Sequence, residues 1–360
     1  MYLERLAVIN FRNYKQLDVK FNKGINYLLG DNGVGKTNLL EAIYYLSNLE
    51  SFRSNDDKNL INEFRGQFRL ESIVDGINYK LAIATNFKNL QIDGIEYKKY
   101  REYLGKVNVI EFIPMQVYLF KDSPKDRRKF MDKELSKIDK DYLEKMLVYN
   151  KLLKQRNELL KTSDTYKEKL FEVLDEKMSE LQVYIISKRN EFLSLLEKYV
   201  NEINDEFKIS LKYNSFVEEL TKENILKKYK DNYSKDREKM VTANGVHRDD
   251  FTMYINNIEI ANYASQGEQR YCVLLLKLAL AKLIKNKPQK DPIIILDDVF
   301  SELDNSRKEK IYKILKEYEQ VFISGCQKES LKMSVYNVEN EKVELVKEEL
   351  MWVKLMKKLV

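Results

Sequence analysis

Eight consecutive residues, Gly30-Asp31-Asn32-Gly33-Val34-Gly35-Lys36-Thr37, constrain this chain more than any other feature. They satisfy G-x-x-x-x-G-K-[ST], with an apolar run from Ile25 to Leu29 that reads as a strand before them and a helical stretch over 38–49 after them. Glycines let the backbone curl until its N–H groups and the positive end of the following helix face one point, which suits a phosphate. Lys36 adds a cation for the β and γ oxygens, and the Thr37 hydroxyl adds a ligand for Mg²⁺. A glycine-rich turn before an ordinary helix is the bland alternative, but a chain with only 11 glycines rarely produces the pattern by chance. The segment reads as a P-loop, so ATP and Mg²⁺ are the expected ligands, held by Gly30 to Thr37 and Asn38.

Glycine and proline also divide the chain. No glycine occurs between Gly105 and Gly245, and the only prolines there are Pro114 and Pro124. From Lys125 to about Phe207 helix follows helix, opened by Ser123 as N-cap, Pro124 at the first helical position and Asp126 three after the cap. Leu143, Met146, Leu147, Leu152, Leu153, Leu159 and Leu160 recur at mostly helical spacing, and a second stripe runs from Tyr166, Leu170 and Val173 to Tyr199 and Ile203. Two or more long antiparallel helices are expected. Outside this interval strands prevail, with hairpin signals at Asp75-Gly76, Asp93-Gly94 and Asn256-Asn257. The expected fold class is α/β: a head of mixed sheets and helices built from 1–120 and 240–346, interrupted by a mainly α-helical arm over 121–239 and followed by a helical tail over 347–360.

Charge excludes little: 63 basic and 57 acidic residues are interleaved, for a net +6 that permits contact with a polyanion without requiring it. Two cysteines and one histidine cannot supply a four-ligand zinc site or a disulfide framework, so any metal is expected to be oxygen-bound. No apolar stretch approaches the roughly 20 residues that cross a bilayer, and no secretory signal is visible at Met1, so a cytoplasmic protein with no membrane partner is expected.

Three further segments complete an ATPase pattern. Pro292-Ile293-Ile294-Ile295-Leu296-Asp297-Asp298 is a buried strand ending in two carboxylates; Asp297 is placed to hold Mg²⁺ and Asp298 to orient the attacking water. Ser265-Gln266-Gly267-Glu268-Gln269, at the start of an apolar helix, resembles the signature of ABC-type ATPases, and a helix N-terminus with a hydroxyl suits a terminal phosphate. A simple N-cap is the plain reading of Ser265 by itself. Ser301-Glu302-Leu303-Asp304 then stands where that class carries its D-loop.

A P-loop, a long helical insertion, the signature and an acidic strand, in that order, resemble the SMC-like branch of ABC ATPases. Within it, Asn10-Phe11-Arg12-Asn13-Tyr14, Tyr149-Asn150-Lys151-Leu152-Leu153-Lys154-Gln155-Arg156-Asn157, Gly245-Val246-His247-Arg248-Asp249-Asp250 and Leu296 to Asp304 are similar to the RecF family. That resemblance implies an ATP-controlled homodimer that binds DNA at single-strand/duplex junctions and works with RecO and RecR to promote RecA loading. It adds Arg12 to the nucleotide-binding residues. One P-loop and one signature per chain imply that Ser265 and Gly267 serve a second copy's γ-phosphate. Asp298 is one methylene shorter than the glutamate common in transporters, which implies weak ATPase turnover used as a switch.

Other assignments are looser. Gln116 is a candidate Q-loop ligand for the metal, and Ser324 or its neighbours Gly325-Cys326 stand at the γ-phosphate sensor position. His247 is open to a catalytic or a structural reading. Arg127, Arg128, Lys151, Lys154 and Arg156 are DNA-contact candidates, with a solvated helix face as the alternative. A transporter subunit is disfavoured by the long arm, a nuclease by the lack of a second carboxylate cluster, while an SMC-like structural tether remains the rival reading.

Overall fold

Alternating burial runs through the N-terminal strands, as a sheet with one packed face requires. β1 (Leu3–Phe11) pairs antiparallel with β2 (Tyr14–Lys20). β3 (Gly24–Leu29) follows, then the P-loop and α1 (Lys36–Asn48). β4 (Gln67–Val74), β5 (Ile77–Ala84), β6 (Phe87–Ile92) and β7 (Ile95–Glu96) extend the antiparallel sheet in the order β2-β1-β4-β5-β6-β7. Asp75 and Gly76 both take positive φ, 51° and 77°, as do Asp93 and Gly94, so both hairpins turn where aspartate-glycine pairs made it cheap. The short α2 (Tyr100–Tyr103) leads into β8 (Val109–Phe112).

The computed structural model describes residues 1–62, 66–121, 123–162, 168–262, 265–287, 291–329 and 332–346; the expected tail over 347–360, Tyr166 and Ala264 lie outside these. The chain divides into two compact units, one of Met1–Gln116 with the chain from Leu280 onward, the other of Val117–Ala279.

The second unit opens with α3 (Pro124–Ile138), α4 (Lys140–Leu160) and α5 (Glu168–Ile203). Ser123 caps α3 with Pro124 behind it, but its hydroxyl meets the Asp126 carboxylate (2.8 Å) rather than a backbone N–H. Tyr142 and Arg156 of α4 bond to Arg189 and Asp175 of α5, Tyr149 lies 3.4 Å from Gln182 between them, and this reversed order makes the helices antiparallel, as expected. The apolar stripes are only partly buried. Leu147, Leu170 and Val173 are each about half exposed, and Tyr142, Tyr149, Arg156, Gln182 and Arg189 occupy the seam instead. Periodicity registers apolar residues and cannot see a seam built from polar ones.

β9 (Ile209–Asn214), α6 (Lys222–Lys239), β10 (Asp250–Ile255) and β11 (Ile258–Glu259) follow, with the strands ordered β11-β10-β9. Asn256 and Asn257 form the tip of the expected hairpin, at φ 48° and 68°. This sheet corrects the expected boundary at 240. β10 pairs along its whole length with β9, which packs on α5, so the segment through Ala279 belongs with the helices and not with the first unit.

α7 (Gln266–Lys285) returns the chain to the first unit, where β12 (Ile293–Leu296), α8 (Asn305–Leu315), β13 (Gln320–Gly325), β14 (Ser334–Glu339) and β15 (Lys342–Leu345) complete a second six-stranded sheet, β15-β14-β3-β13-β12-β8. Its five strands other than β15 run parallel, and β12 and β13 are buried at every residue, β12 as its wholly apolar sequence demands and β13 with Gln320 and Ser324 buried among its apolar residues. Parallel register brings the C-terminal ends of β3, β12 and β13 to one edge. The P-loop, the two aspartates and Ser324 all emerge there, the place where open α/β sheets bind ligands.

Candidate nucleotide site

The P-loop has the conformation its glycines allow. Gly33 and Gly35 take φ of 84° and 114°, and a Cβ on Gly35 would stand 2.7 Å from Asn13 Nδ2 and 2.8 Å from the Tyr14 hydroxyl. Asn13 and Tyr14, part of the N-F-R-N-Y run, thus pack against the loop; Tyr14 also donates to the Gly35 carbonyl (3.1 Å), and Asn38 donates to Asn13 Oδ1 (2.7 Å). Lys36 Nζ donates to the Gly30 and Asp31 carbonyls at 2.6 and 2.7 Å, so its ammonium lies inside the loop. Asp31, Asn32 and Gly33 are exposed, Val34 and Asn38 partly so.

Behind the loop, Asp297 is buried and accepts from the Thr37 hydroxyl at 2.9 Å and the Ser324 hydroxyl at 2.5 Å. Burial pushes its carboxyl above the usual range, and the hydroxyls of Ser324 and Thr37 pull it back. Asp298 is less buried and takes φ of 50°, a left-handed conformation uncommon for a non-glycine residue that re-aims the chain directly after the strand. Ser301 of the expected D-loop donates to the Asp298 carbonyl (3.0 Å). Leu303 is buried, and Asp304 caps α8 by accepting the Arg307 N–H (2.9 Å), which holds its carboxyl low.

A hydroxyl and a carboxylate converging at the P-loop are the oxygen donors a Mg²⁺ ion takes together with phosphate oxygens, so the residues fit that ion. No cluster of three or more His, Cys, Asp or Glu able to hold a metal occurs among the described residues. Gln116 is turned to Glu111, to which it donates at 2.7 Å.

Arg12, at φ 53°, forks onto both oxygens of the fully buried Glu41 of α1 (2.8 and 2.7 Å) and donates to the Asn59 carbonyl. Its guanidinium therefore braces the P-loop helix. Sequence reasoning missed Arg53, which donates to Asn38 Oδ1 (2.8 Å) and lies 3.7 Å from Glu41; no motif pointed to it. Cys326 stands 3.0 Å from Asn32 Oδ1 and 3.6 Å from Lys36 Nζ.

In the second unit, Ser265 precedes α7 and shares a reciprocal cap with Glu268, whose carboxylate accepts the Ser265 N–H (3.2 Å). Ser265, Gln266 and Gly267 are exposed, whereas Gln269 is buried and donates to the Ile260 carbonyl. His247 has both ring nitrogens engaged within the second unit: Nε2 faces the Thr242 carbonyl at 3.0 Å and so carries the proton, leaving Nδ1 to accept from Tyr149 (2.7 Å). Burial lowers its pKa to about 4.

Two of the DNA-contact candidates need correction. Arg127 is buried and forks onto Asp250 at 2.8 Å, and Arg156 is fully buried between Asp175 and Asp236, so neither guanidinium is offered to a phosphate. Arg128 donates to the Asp249 carbonyl (2.7 Å). Lys151 and Lys154 are exposed.

Residues 2–107 match the family described as RecF/RecN/SMC N terminal domain. The DNA replication and repair protein RecF of Clostridium beijerinckii is 37% identical, over 95% of this chain and 98% of that one. The chain belongs to the RecF family. The RecF of Streptococcus suis is 35% identical over 95% and 99%. A solved structure of the recombination mediator protein RecF with ATP, in the RecFOR pathway, has 31% sequence identity, covers 96% of this chain and 98% of that one, and superposes with a TM-score of 0.88. An Smc head domain from Pyrococcus furiosus shares the fold at 15% identity and a TM-score of 0.53. The family fold is thus an ABC-type ATPase head with a helical arm, and its members are DNA replication and repair proteins. No helix among the described residues is long and apolar enough to cross a membrane.

Proposed function

We propose that this chain is an ATP-controlled, DNA-binding recombination mediator that dimerises around ATP, engages single-strand/duplex junctions and acts with RecO and RecR to promote RecA loading. The observation that carries the reading is the cluster of Lys36, Thr37, Asp297 and Asp298 at one sheet edge, in a chain similar along nearly its whole length to a RecF solved with ATP. Bound Mg²⁺ would neutralise charge on the phosphate oxygens from Thr37 and Asp297. Lys36 exchanges its loop carbonyls for the β and γ oxygens, and Asp298 orients the attacking water.

The exposed Ser265 and Gly267, at the positive end of a 20-residue helix, suit the γ-phosphate held by a second copy. Engagement there requires Ser265 to leave Glu268, and only a triphosphate repays that exchange, which supports a closed state favoured by ATP over ADP. Hydrolysis then resets the switch, and the short Asp298 side chain favours a slow clock. Gapped-DNA affinity measured with ATP, with ADP and with Lys36→Ala tests the reading: ATP tightens binding and sediments the protein as a dimer, and Lys36→Ala abolishes both effects. Equal dimer fractions with ATP and ADP refute the switch. ATP-driven dimers with no preference for gapped over blunt DNA would favour the structural tether.

A further inference from the structure

Ser324 ends the strand beside the one that carries the two aspartates. The parallel register pairs Leu296 with Ile323, so Ser324 stands next to Asp297. Its hydroxyl is buried, donates to Asp297 Oδ1 at 2.5 Å and accepts the Asp298 N–H at 2.9 Å. A serine hydroxyl has one hydrogen and two lone pairs. Here the hydrogen and one lone pair are committed, one to the side chain of the first aspartate and the other to the backbone of the second.

The strand end is itself held. Tyr27 of β3 donates to the Gln327 carbonyl at 2.6 Å, and a Cβ on Gly325 would fall 2.0 Å from the Tyr27 hydroxyl, so only glycine lets the chain pass. The turn after Ser324 is thereby fixed against β3, the strand that feeds the P-loop.

We infer that Ser324 is a positioning residue that fixes the metal-holding carboxylate of Asp297 and the left-handed turn of Asp298 relative to each other, and that it does not sense the γ-phosphate. With its only hydrogen on Asp297, Ser324 has none to donate to a phosphate. Thr37 supplies the second hydroxyl on Asp297, so the carboxylate is oriented from the P-loop on one side and from β13 on the other. This rests on the ATP-site reading above and adds to it the residue that sets the geometry of the ion.

Partners of this kind contribute about 10- to 100-fold to metal affinity. The test measures binding of a fluorescent ATP analogue in EDTA, and Mn²⁺ affinity of the nucleotide-bound protein by electron paramagnetic resonance. Ser324→Ala is expected to keep the EDTA affinity and to weaken Mn²⁺ about tenfold or more, with Ser324→Thr restoring most of the loss. A γ-phosphate sensor would instead lower nucleotide affinity with EDTA present and leave Mn²⁺ unchanged, and that result overturns the inference. Should Ser324→Ala fail to fold, Ser324→Cys, which keeps the volume but offers only a weak donor, is read in the same assays. Wild-type protein that binds no nucleotide at all would refute the ATP-site reading itself, an outcome distinct from unchanged Mn²⁺ affinity in a variant that binds.

Discussion

Replacing Arg156 by alanine should damage the fold and spare the nucleotide chemistry. Its guanidinium is fully buried, donating to Asp175 (2.7 Å), Asp236 (2.7 Å) and the Thr242 hydroxyl (2.9 Å), and it stands 4.7 Å from the Tyr229 ring centroid and 5.8 Å from that of Phe171. Each charge-assisted bond is worth about 1.5–3 kcal/mol, but such values do not add. Removing one partner of a buried pair typically costs about 3–5 kcal/mol because the remaining charge is stranded. Asp236 is 1% exposed, so the upper half of that range is expected at pH 7. Burial already pushes the Asp175 carboxyl up against the pull of Arg156. Without the arginine the buried Asp175 carboxylate takes up protons still more readily in the native state than in the unfolded one. Native protein then binds more protons, stability falls as pH rises, and the deficit relative to wild type narrows on acidification. Urea denaturation of both proteins at pH 7 and pH 5 checks this. A loss below about 1 kcal/mol at pH 7, or a deficit that widens in acid, refutes the reasoning.

Asp298→Asn should accumulate the ATP-bound dimer and lower turnover by about a hundredfold or more, read by single-turnover hydrolysis and sedimentation; wild-type turnover would remove Asp298 from its role. If Lys151 and Lys154 meet phosphates, changing both to glutamine should reduce the slope of log affinity against log salt by about one for each phosphate no longer neutralised, whereas an unchanged slope assigns them to a solvated face. Burial pushes Asp249 up to about 6, opposed by the Tyr213 hydroxyl. Its native pKa exceeds its unfolded one, so this residue's contribution is present below about pH 4 and is lost as pH rises to about 6. Asp249→Asn should flatten thermal stability across that window, and an equally steep profile in the variant would exclude Asp249 as its source.

Much of the site was legible because its signals are local. A P-loop needs particular backbone angles, and only glycine supplies them cheaply at Gly33 and Gly35. Ile293 to Leu296 could be read as a strand buried on both faces with no knowledge of its neighbours, and aspartate-glycine and paired asparagines announce their own turns. Arg12 could be named from its motif, yet its partner Glu41 could not, because the contact joins residues 12 and 41 through the packing of β1 on α1.

Charged side chains show where sequence stops. Arg127 and Lys151 look alike in a run of basic residues, but one is buried on Asp250 and the other faces solvent. Leu147 continues an apolar stripe and is nonetheless half exposed, since α5 meets α4 through tyrosines, Gln182 and two arginines. What the amino-acid order determined alone are features set by one residue's backbone freedom or by short apolar periods: the phosphate loop, the buried strands, the hairpins and the long helices. Which carboxylate neutralises which cation, where β10 finds its partner, and that Ser324 lies against Asp297 were decided only when distant segments packed, because a partner's identity and a group's burial belong to the folded neighbourhood and not to the residue.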